Sequence, residues 1–580
     1  MKRKTLIVLP ALMLAGLAIS GCVAAPRIEA AFDPADLKFS AQRAFALETA
    51  FVTDFPARHT GTPNSRAAVE WLAAAYTDLG WDCHVDIWDI INYSRPVTLR
   101  NVVCTLSGDS EREILVIAHH DQASTTIQGA DNDGSGIAIL LHMAEIFAAE
   151  APLAHTLVFV STDAEEYGML GTDRYIRTHP DPENIVAGLS LDNLGRDYYD
   201  GMSMELVGQY RQFSPLWIAL TAQEAGRITG GPWNVYMTAF IDQITGQAAP
   251  VSFMDQGPLI AAGVPAVGFT GHVPVEFADE HYGLWHDPED TMEHQSAEVL
   301  GRSGLIAEGY VRQLLGMPQV PRESGPYLYF EESGQVLRGL PLWAIFVGFT
   351  AVFFAGSVRS GRAPGKPFWT GWRGAMPHFL GLWLPLLGSI VLLYLLVGVG
   401  MLDSFPKYPA TTKDPYLLNP RWTPIVLFFV GLAAFLYVGR RLAGSRAGNP
   451  PGATFRDRKS LSLFVMGLSC LYILAINPFS LLFLLPLLFW FLIRNRKGAG
   501  KGLDILFFVL GGFVVYFLIY FFGFVILRYN LLFLWYMLNM FSIRMISFRS
   551  AIMITAVIGA GLALVVNPPP RRSNEAKGIV

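Results

Sequence analysis

A chain of 580 residues that is 52% hydrophobic, with a mean hydropathy of +0.36, is long enough for two or more units and too apolar to be soluble throughout. The formal charge of −5 is uneven: residues 1–339 carry 20 Lys and Arg against 43 Asp and Glu, and residues 340–580 carry 23 against 5. An acidic front and a basic, apolar rear point to a lipid bilayer as partner and away from nucleic acid, and they direct the search for chemistry to the front, which holds all histidines but His378.

The chain opens on "MKRKTLIVLPALMLAGLAISGC", a cationic start, an apolar stretch and small residues before Cys22, which reads as an export signal. Its "ISGC" end resembles the lipobox of bacterial lipoproteins, implying cleavage before Cys22 and lipidation of its thiol. An uncleaved signal anchor is the alternative, and both readings put the residues after Cys22 outside the cytoplasm. Residues 23–330 are expected to form one α/β domain. "SRAAVEWLAAAYTDLGW" is an amphipathic helix with Gly80 as its stop signal. Cys83 and Cys104 lie in two strand-like segments able to pair antiparallel, and an oxidising compartment would permit a bridge between them. "EILVIAHH", "HTLVFVSTD", "IVAGLSLDN" and "VPAVGFTGH" are short apolar runs ending in polar residues, and "GSGIAILLHMAEIFAAE" is a helix between the first two. Strands buried on both faces and separated by helices predict a largely parallel mixed sheet flanked by helices.

Residues 331–339 read as a linker, and an all-α multi-span region is expected over 340–566. Apolar runs at 340–356, 379–401, 423–438, 461–476, 479–493, 503–527 and 550–566 approach the length that crosses a bilayer, with 531–548 a weaker eighth candidate interrupted by Arg544. The loops 357–378, 439–460 and 494–502 are rich in Lys and Arg and are placed in the cytoplasm by the positive-inside rule. The basic tail 567–580 favours an odd number of spans, hence seven. No acidic residue lies deep in a run, which argues for anchoring rather than transport.

Polar clusters stand at the ends of the apolar runs, where ligand sites of open α/β sheets gather. They are "AHHDQ" with His119 and Asp121, "GADNDGSG" with Asp131, "STDAEEYGMLG" with Glu165 and Glu166, "LSLDNLG" with Asp192, and "GLWHDPEDT" with His286. Taken singly, each has an ordinary structural explanation: acids begin helices, an Asp caps a turn, a lone His sits on a surface. Two histidines and several carboxylates at successive strand ends instead suit a divalent metal such as zinc. On a strand His119 and Asp121 share a face while His120 points away, so the doublet reduces to one ligand, His119, with Asp121 as its orienting carboxylate.

This ordered set, H-x-D, G-A-D-N-x-x-S-G, E-E-x-G-x-x-G, a strand-end Asp and H-x-P-x-D-T, resembles the co-catalytic two-zinc aminopeptidases of the bacterial leucyl aminopeptidase and aminopeptidase Y type, which are related to glutamate carboxypeptidase. The resemblance covers roughly residues 45–315, including "RHTGTPNSRAA" and "GVPAVGF". It implies two zinc ions: His119 and Asp192 on one, Glu166 and His286 on the other, and Asp131 bridging them. It further implies Glu165 as general base, Asp121 orienting His119, and peptides as substrates. The sequence departs from the family at "SFMDQGPLIAAGVPAV", where Gln256 and Leu259 replace a histidine and a phenylalanine. His272, His281 and His294 lie near His286 and lack its motif. Membrane-bound relatives share this layout, with the peptidase domain facing away from the cytoplasm. A single-zinc glutaminyl cyclase and a catalytically inactive binding ectodomain are the competing readings.

Overall fold

The computed structural model describes residues 21–566 except 93–94, 209–212, 230–233, 237–239, 249–251, 275–276, 278–283, 318–320, 322–324, 403–419, 446–452 and, save Trp535 and Leu538, 485–546. The leader, the tail, His281, the run 503–527 and most of the runs 479–493 and 531–548 therefore lie outside the described residues. Two units are distinguished, with Cys22–Gly339 forming the bulk of one and the chain from Leu340 the bulk of the other.

The first unit contains the strands β1 (Cys22–Ala24), β2 (Asp82–Asn92), β3 (Arg95–Leu106), β4 (Glu113–His119), β5 (Thr156–Thr162), β6 (Ile185–Leu191), β7 (Gly201–Glu205), β8 (Asn234–Tyr236), β9 (Ala266–Gly271), β10 (Tyr327–Phe330) and β11 (Gln335–Arg338). Eight of them form one mixed sheet in the order β2-β3-β5-β4-β6-β9-β7-β8. The centre, β5-β4-β6-β9, is parallel, while β3 joins β5 and β7 joins β9 antiparallel. β4 shows why the run is apolar throughout. Ile114, Val116 and Ala118 enter one core with the helices Ala41–Asp54, Pro63–Asp78, Gly136–Ala148 and Ala297–Leu315, whereas Leu115 and Ile117 enter a second with Tyr175, Ile176, Leu259 and Ile260. Each face of the sheet is thus covered, as a buried parallel strand requires.

Local signals set the helix limits. Thr62 accepts a hydrogen bond from the Ser65 amide, Pro63 occupies the first turn, and Gly80 beyond the end takes φ +90°. Cys83 stands opposite Cys104 in the antiparallel register of β2 and β3, and the two form a disulfide. Its closed loop spans 21 positions, so replacing both cysteines by serine should cost about 3 kcal/mol of stability. A lower thermal-unfolding midpoint, reproduced in the parent protein by reductant, is the check.

Residues 331–339, expected to be a linker, carry part of a hairpin. Glu331–Ser333 and Gly334 at φ +61° turn β10 back onto β11, which also pairs with β1, Cys22 facing Leu337. The short aromatic-rich run "YLYF" followed by the Glu-Ser-Gly turn was the available signal.

Among the described residues of the second unit, five helices are long and apolar enough to cross a membrane: Leu340–Gly361, Trp372–Gly398, Trp422–Arg441, Phe455–Ile476 and Phe548–Val565. Between them run polar ties such as Ser357 Oγ to the Ser460 carbonyl (2.8 Å) and Ser462 Oγ to the Ala560 carbonyl (2.8 Å), while Leu395, Val430 and Tyr437 face outward. Polar groups inside and large apolar ones outside suit a bundle solvated by lipid.

Candidate metal centre

Because β4, β5 and β6 are parallel and adjacent, the residues just past their C-terminal ends converge. Thr162 pairs with His119, and Ile117 pairs with Ser190, two residues before Asp192. One edge of the sheet therefore receives His119, Glu165, Glu166 and Asp192 from three consecutive crossovers.

His119 is held at both ends of its backbone and ring. Its amide donates to Asp133 Oδ2 (3.1 Å), and its Nδ1 lies 3.1 Å from the Asp121 carbonyl and 3.4 Å from Asp121 Oδ1. A proton on Nδ1 satisfies those acceptors and leaves the Nε2 lone pair for another partner. Nε2 is buried, has no hydrogen bond, and lies 3.8 Å from Asp192 Oδ1. Ligand atoms of His119, Glu165 and Glu166 lie within 4.8 Å of one another. An unbonded buried imidazole nitrogen facing carboxylates at these separations fits a zinc ion, whose ligands stand about 2.0–2.2 Å from the metal.

Asp121 does more than orient His119. Oδ1 accepts from the Glu165 amide (3.1 Å), and Oδ2 from the Glu166 amide (3.3 Å) and the Thr60 hydroxyl (3.2 Å). It thereby ties the β4 end to the turn that carries both glutamates. Burial raises its pKa, but His119 beside it prevails and holds the carboxyl below its ordinary range. Glu165 behaves oppositely: burial, reinforced by Glu166, Asp192 and Asp255, pushes it well above the usual carboxylate range despite His119. His286 reaches the group from the loop after β9, its Nε2 3.0 Å from Glu166 Oε1. His272 instead contacts Asp200 (2.6 Å) and stacks on Tyr236.

Asp131 is not brought into this group. Its Oδ1 accepts from the Gly195 amide (2.9 Å) and its Oδ2 from the Tyr199 hydroxyl (2.6 Å). The next residue, Asn132, takes the place expected of it, with Nδ2 2.6 Å from Glu166 Oε1. Asp133 serves the main chain, accepting from His119 and from the Gly136 amide (2.9 Å). The turn is set by Asp290, whose carboxylate accepts from the amides of Asp131 (2.8 Å) and Asn132 (3.1 Å) and is pushed up to about 7 by burial.

Three residues were missed as parts of the site: Asn132, Asp290 and Arg58. Arg58 is fully buried and donates to the carbonyls of His120, Gln128 and Gly129 and to the Gln122 side chain, riveting the segment beyond His119. Arg58→Leu would strand these acceptors and is expected to destabilise the protein by roughly 3–5 kcal/mol, read as a lower unfolding midpoint. His120 is buried with neither ring nitrogen bonded, and burial lowers its pKa to about 4, so it is neutral. A cavity of 660 Å³ is lined by Arg196, Asp197, Tyr198, Phe277, Leu284 and Glu289 among others, drawn partly from the segments that carry Asp192 and His286.

Comparison with known proteins gives a match of residues 101–311 to the family described as Peptidase family M28. The chain is 26% identical over 204 residues to the alkaline phosphatase isozyme conversion protein of Escherichia coli (strain K12), covering 31% of this chain and 57% of that one. It is 35% identical over 112 residues to a probable zinc metalloprotease of Pyricularia oryzae (18% and 22%), and 25% identical over 214 residues to aminopeptidase YwaD of Bacillus subtilis (36% and 42%). The chain thus spans less than two thirds of the length of each of these relatives.

Proposed function

We propose that this chain, whose residues 101–311 belong to Peptidase family M28, is a membrane-anchored zinc metallopeptidase of the aminopeptidase type acting on peptides. The observation that carries the reading is the buried, unbonded His119 Nε2 aimed at Asp192, beside Glu165 and Glu166. His119 with Asp192, and Glu166 with His286, are the two pairs of side chains that could offer ligands to zinc, which would supply Lewis-acid polarisation of the scissile carbonyl and acidify water.

The remaining work falls to the protein's own groups. Glu165, with a raised proton affinity, takes a proton from the attacking water and returns it to the leaving amine. Asp121 fixes the His119 ring and, through two main-chain amides, the turn bearing Glu165 and Glu166. Asp131 supports the site from behind by its bonds to Tyr199 and Gly195. The peptidase unit lies outside the cytoplasm in this reading, supported by the leader ending at Cys22, the Cys83–Cys104 disulfide and the basic loops between apolar helices.

The test uses the full chain in detergent, assayed for zinc and for cleavage of unblocked aminoacyl anilides and of a peptide mixture. Zinc together with release of N-terminal residues is the expected result. Cyclisation of N-terminal glutamine alone, or peptide binding without hydrolysis, would replace the reading with a cyclase or with a binding ectodomain.

A further inference from the structure

Three consecutive polar side chains, Asp131, Asn132 and Asp133, project from the turn that faces the metal centre. Both carboxylates are committed elsewhere: Asp131 to Tyr199 and Gly195, Asp133 to the amides of His119 and Gly136. The one that reaches the ligand group is the amide of Asn132. Its orientation is set by its neighbour, since Glu166 Oε1 can only accept and so takes the Nδ2 hydrogens. Asn132 Oδ1 is buried and has no hydrogen-bond partner.

Two divalent ions in a shared site stand about 3.5–4 Å apart and repel strongly. An anionic oxygen common to both offsets that repulsion, whereas a neutral amide leaves it largely in place. The two candidate places are also unequal. At the first, Asp192 Oδ1 accepts from Asn193 Nδ2 (2.6 Å), but His119 Nε2 is unbonded, 1% exposed and 3.8 Å from that oxygen. At the second, Glu166 Oε1 is bonded to Asn132 and lies 3.0 Å from His286 Nε2, so both ligand atoms are engaged and an ion there must displace two contacts where the first place loses one.

We infer that the centre holds a single tightly bound zinc ion, at His119 and Asp192, and that Asn132 is the residue that denies a second ion an anionic ligand shared with the first. The inference rests on the zinc-peptidase reading and departs from the two-zinc expectation raised by the sequence. The two places are distinguishable: His286→Ala keeps the ion and His119→Ala loses it. Asn132→Asp supplies the missing carboxylate and admits a second ion.

The experiment loads the full-length protein in detergent with zinc, dialyses it against metal-free buffer and counts zinc per chain by emission spectrometry, independently of any activity. About one ion is expected for the parent and for His286→Ala, none for His119→Ala, and about two for Asn132→Asp. Two ions in the parent overturn the inference while the zinc-peptidase reading stands, and no ion in the parent overturns both. If Asn132→Asp fails to fold, Asn132→Ala serves instead, because the inference requires it to retain one ion. A value of zero there in folded protein, or a folded Asn132→Asp that stays at one, rejects the role given to Asn132.

Discussion

Glu165→Gln is expected to lower turnover of an aminoacyl substrate by roughly two to four orders of magnitude while leaving zinc content unchanged. Glutamine has the same shape and can still accept a hydrogen bond, but it cannot take up the proton that water must lose. The Glu165 amide, not its side chain, is what Asp121 holds, so the turn stays tethered in the variant. Burial and the neighbouring Glu166, Asp192 and Asp255 oppose ionisation of this carboxyl, so a neutral amide in its place should leave the folded protein no less stable. Steady-state kinetics, zinc analysis and thermal denaturation on one preparation separate these effects. Activity near that of the parent would remove Glu165 from the mechanism. Activity lost together with zinc would make it a ligand instead of a base.

The second large effect sets two neighbouring histidines apart. His119→Ala should abolish zinc retention and hydrolysis together, because it deletes the nitrogen on which the centre is built. His120→Leu should keep the metal and lose less than tenfold in turnover, a change within about 1.4 kcal/mol. His120 is neutral and buried, its ring nitrogens make no hydrogen bond, and its ties to the fold are through the main chain, amide to Thr162 and carbonyl from Arg58. Leucine replaces it with an apolar side chain of similar bulk. Zinc analysis and kinetics of the two variants side by side decide the matter. A His120→Leu protein that loses zinc would exchange the roles assigned to the pair.

The strand-end arrangement was legible in the sequence because apolar runs that stop abruptly at polar residues carry both halves of the signal, burial and site. Thus "EILVIAHH" gives β4 and delivers His119, and "IVAGLSLDN" gives β6 and delivers Asp192. The turn after Gly129 was not legible in the same way. Three polar residues in a row have no periodicity, and which one faces the centre depends on Asp290, some 160 positions away, gripping the amides of Asp131 and Asn132. Arg58 was invisible for a related reason. Its partners are carbonyl oxygens, which every residue has, so nothing in the residue types marks them. The hairpin ending in β11 was missed because four-residue strands lie at the lower limit at which alternation can be read.

The pairing of β1 with β11 has a topological consequence. Cys22 sits across from Leu337, and the first apolar helix begins at Leu340, so the peptidase unit starts and stops on neighbouring strands. Because the ends of the unit meet, joining them would close only a short gap, and the loop-closure entropy of doing so is correspondingly small. Its beginning and end could be joined by a brief polar linker and new ends opened at an exposed turn, such as the one at Gly334, without disturbing the large sheet.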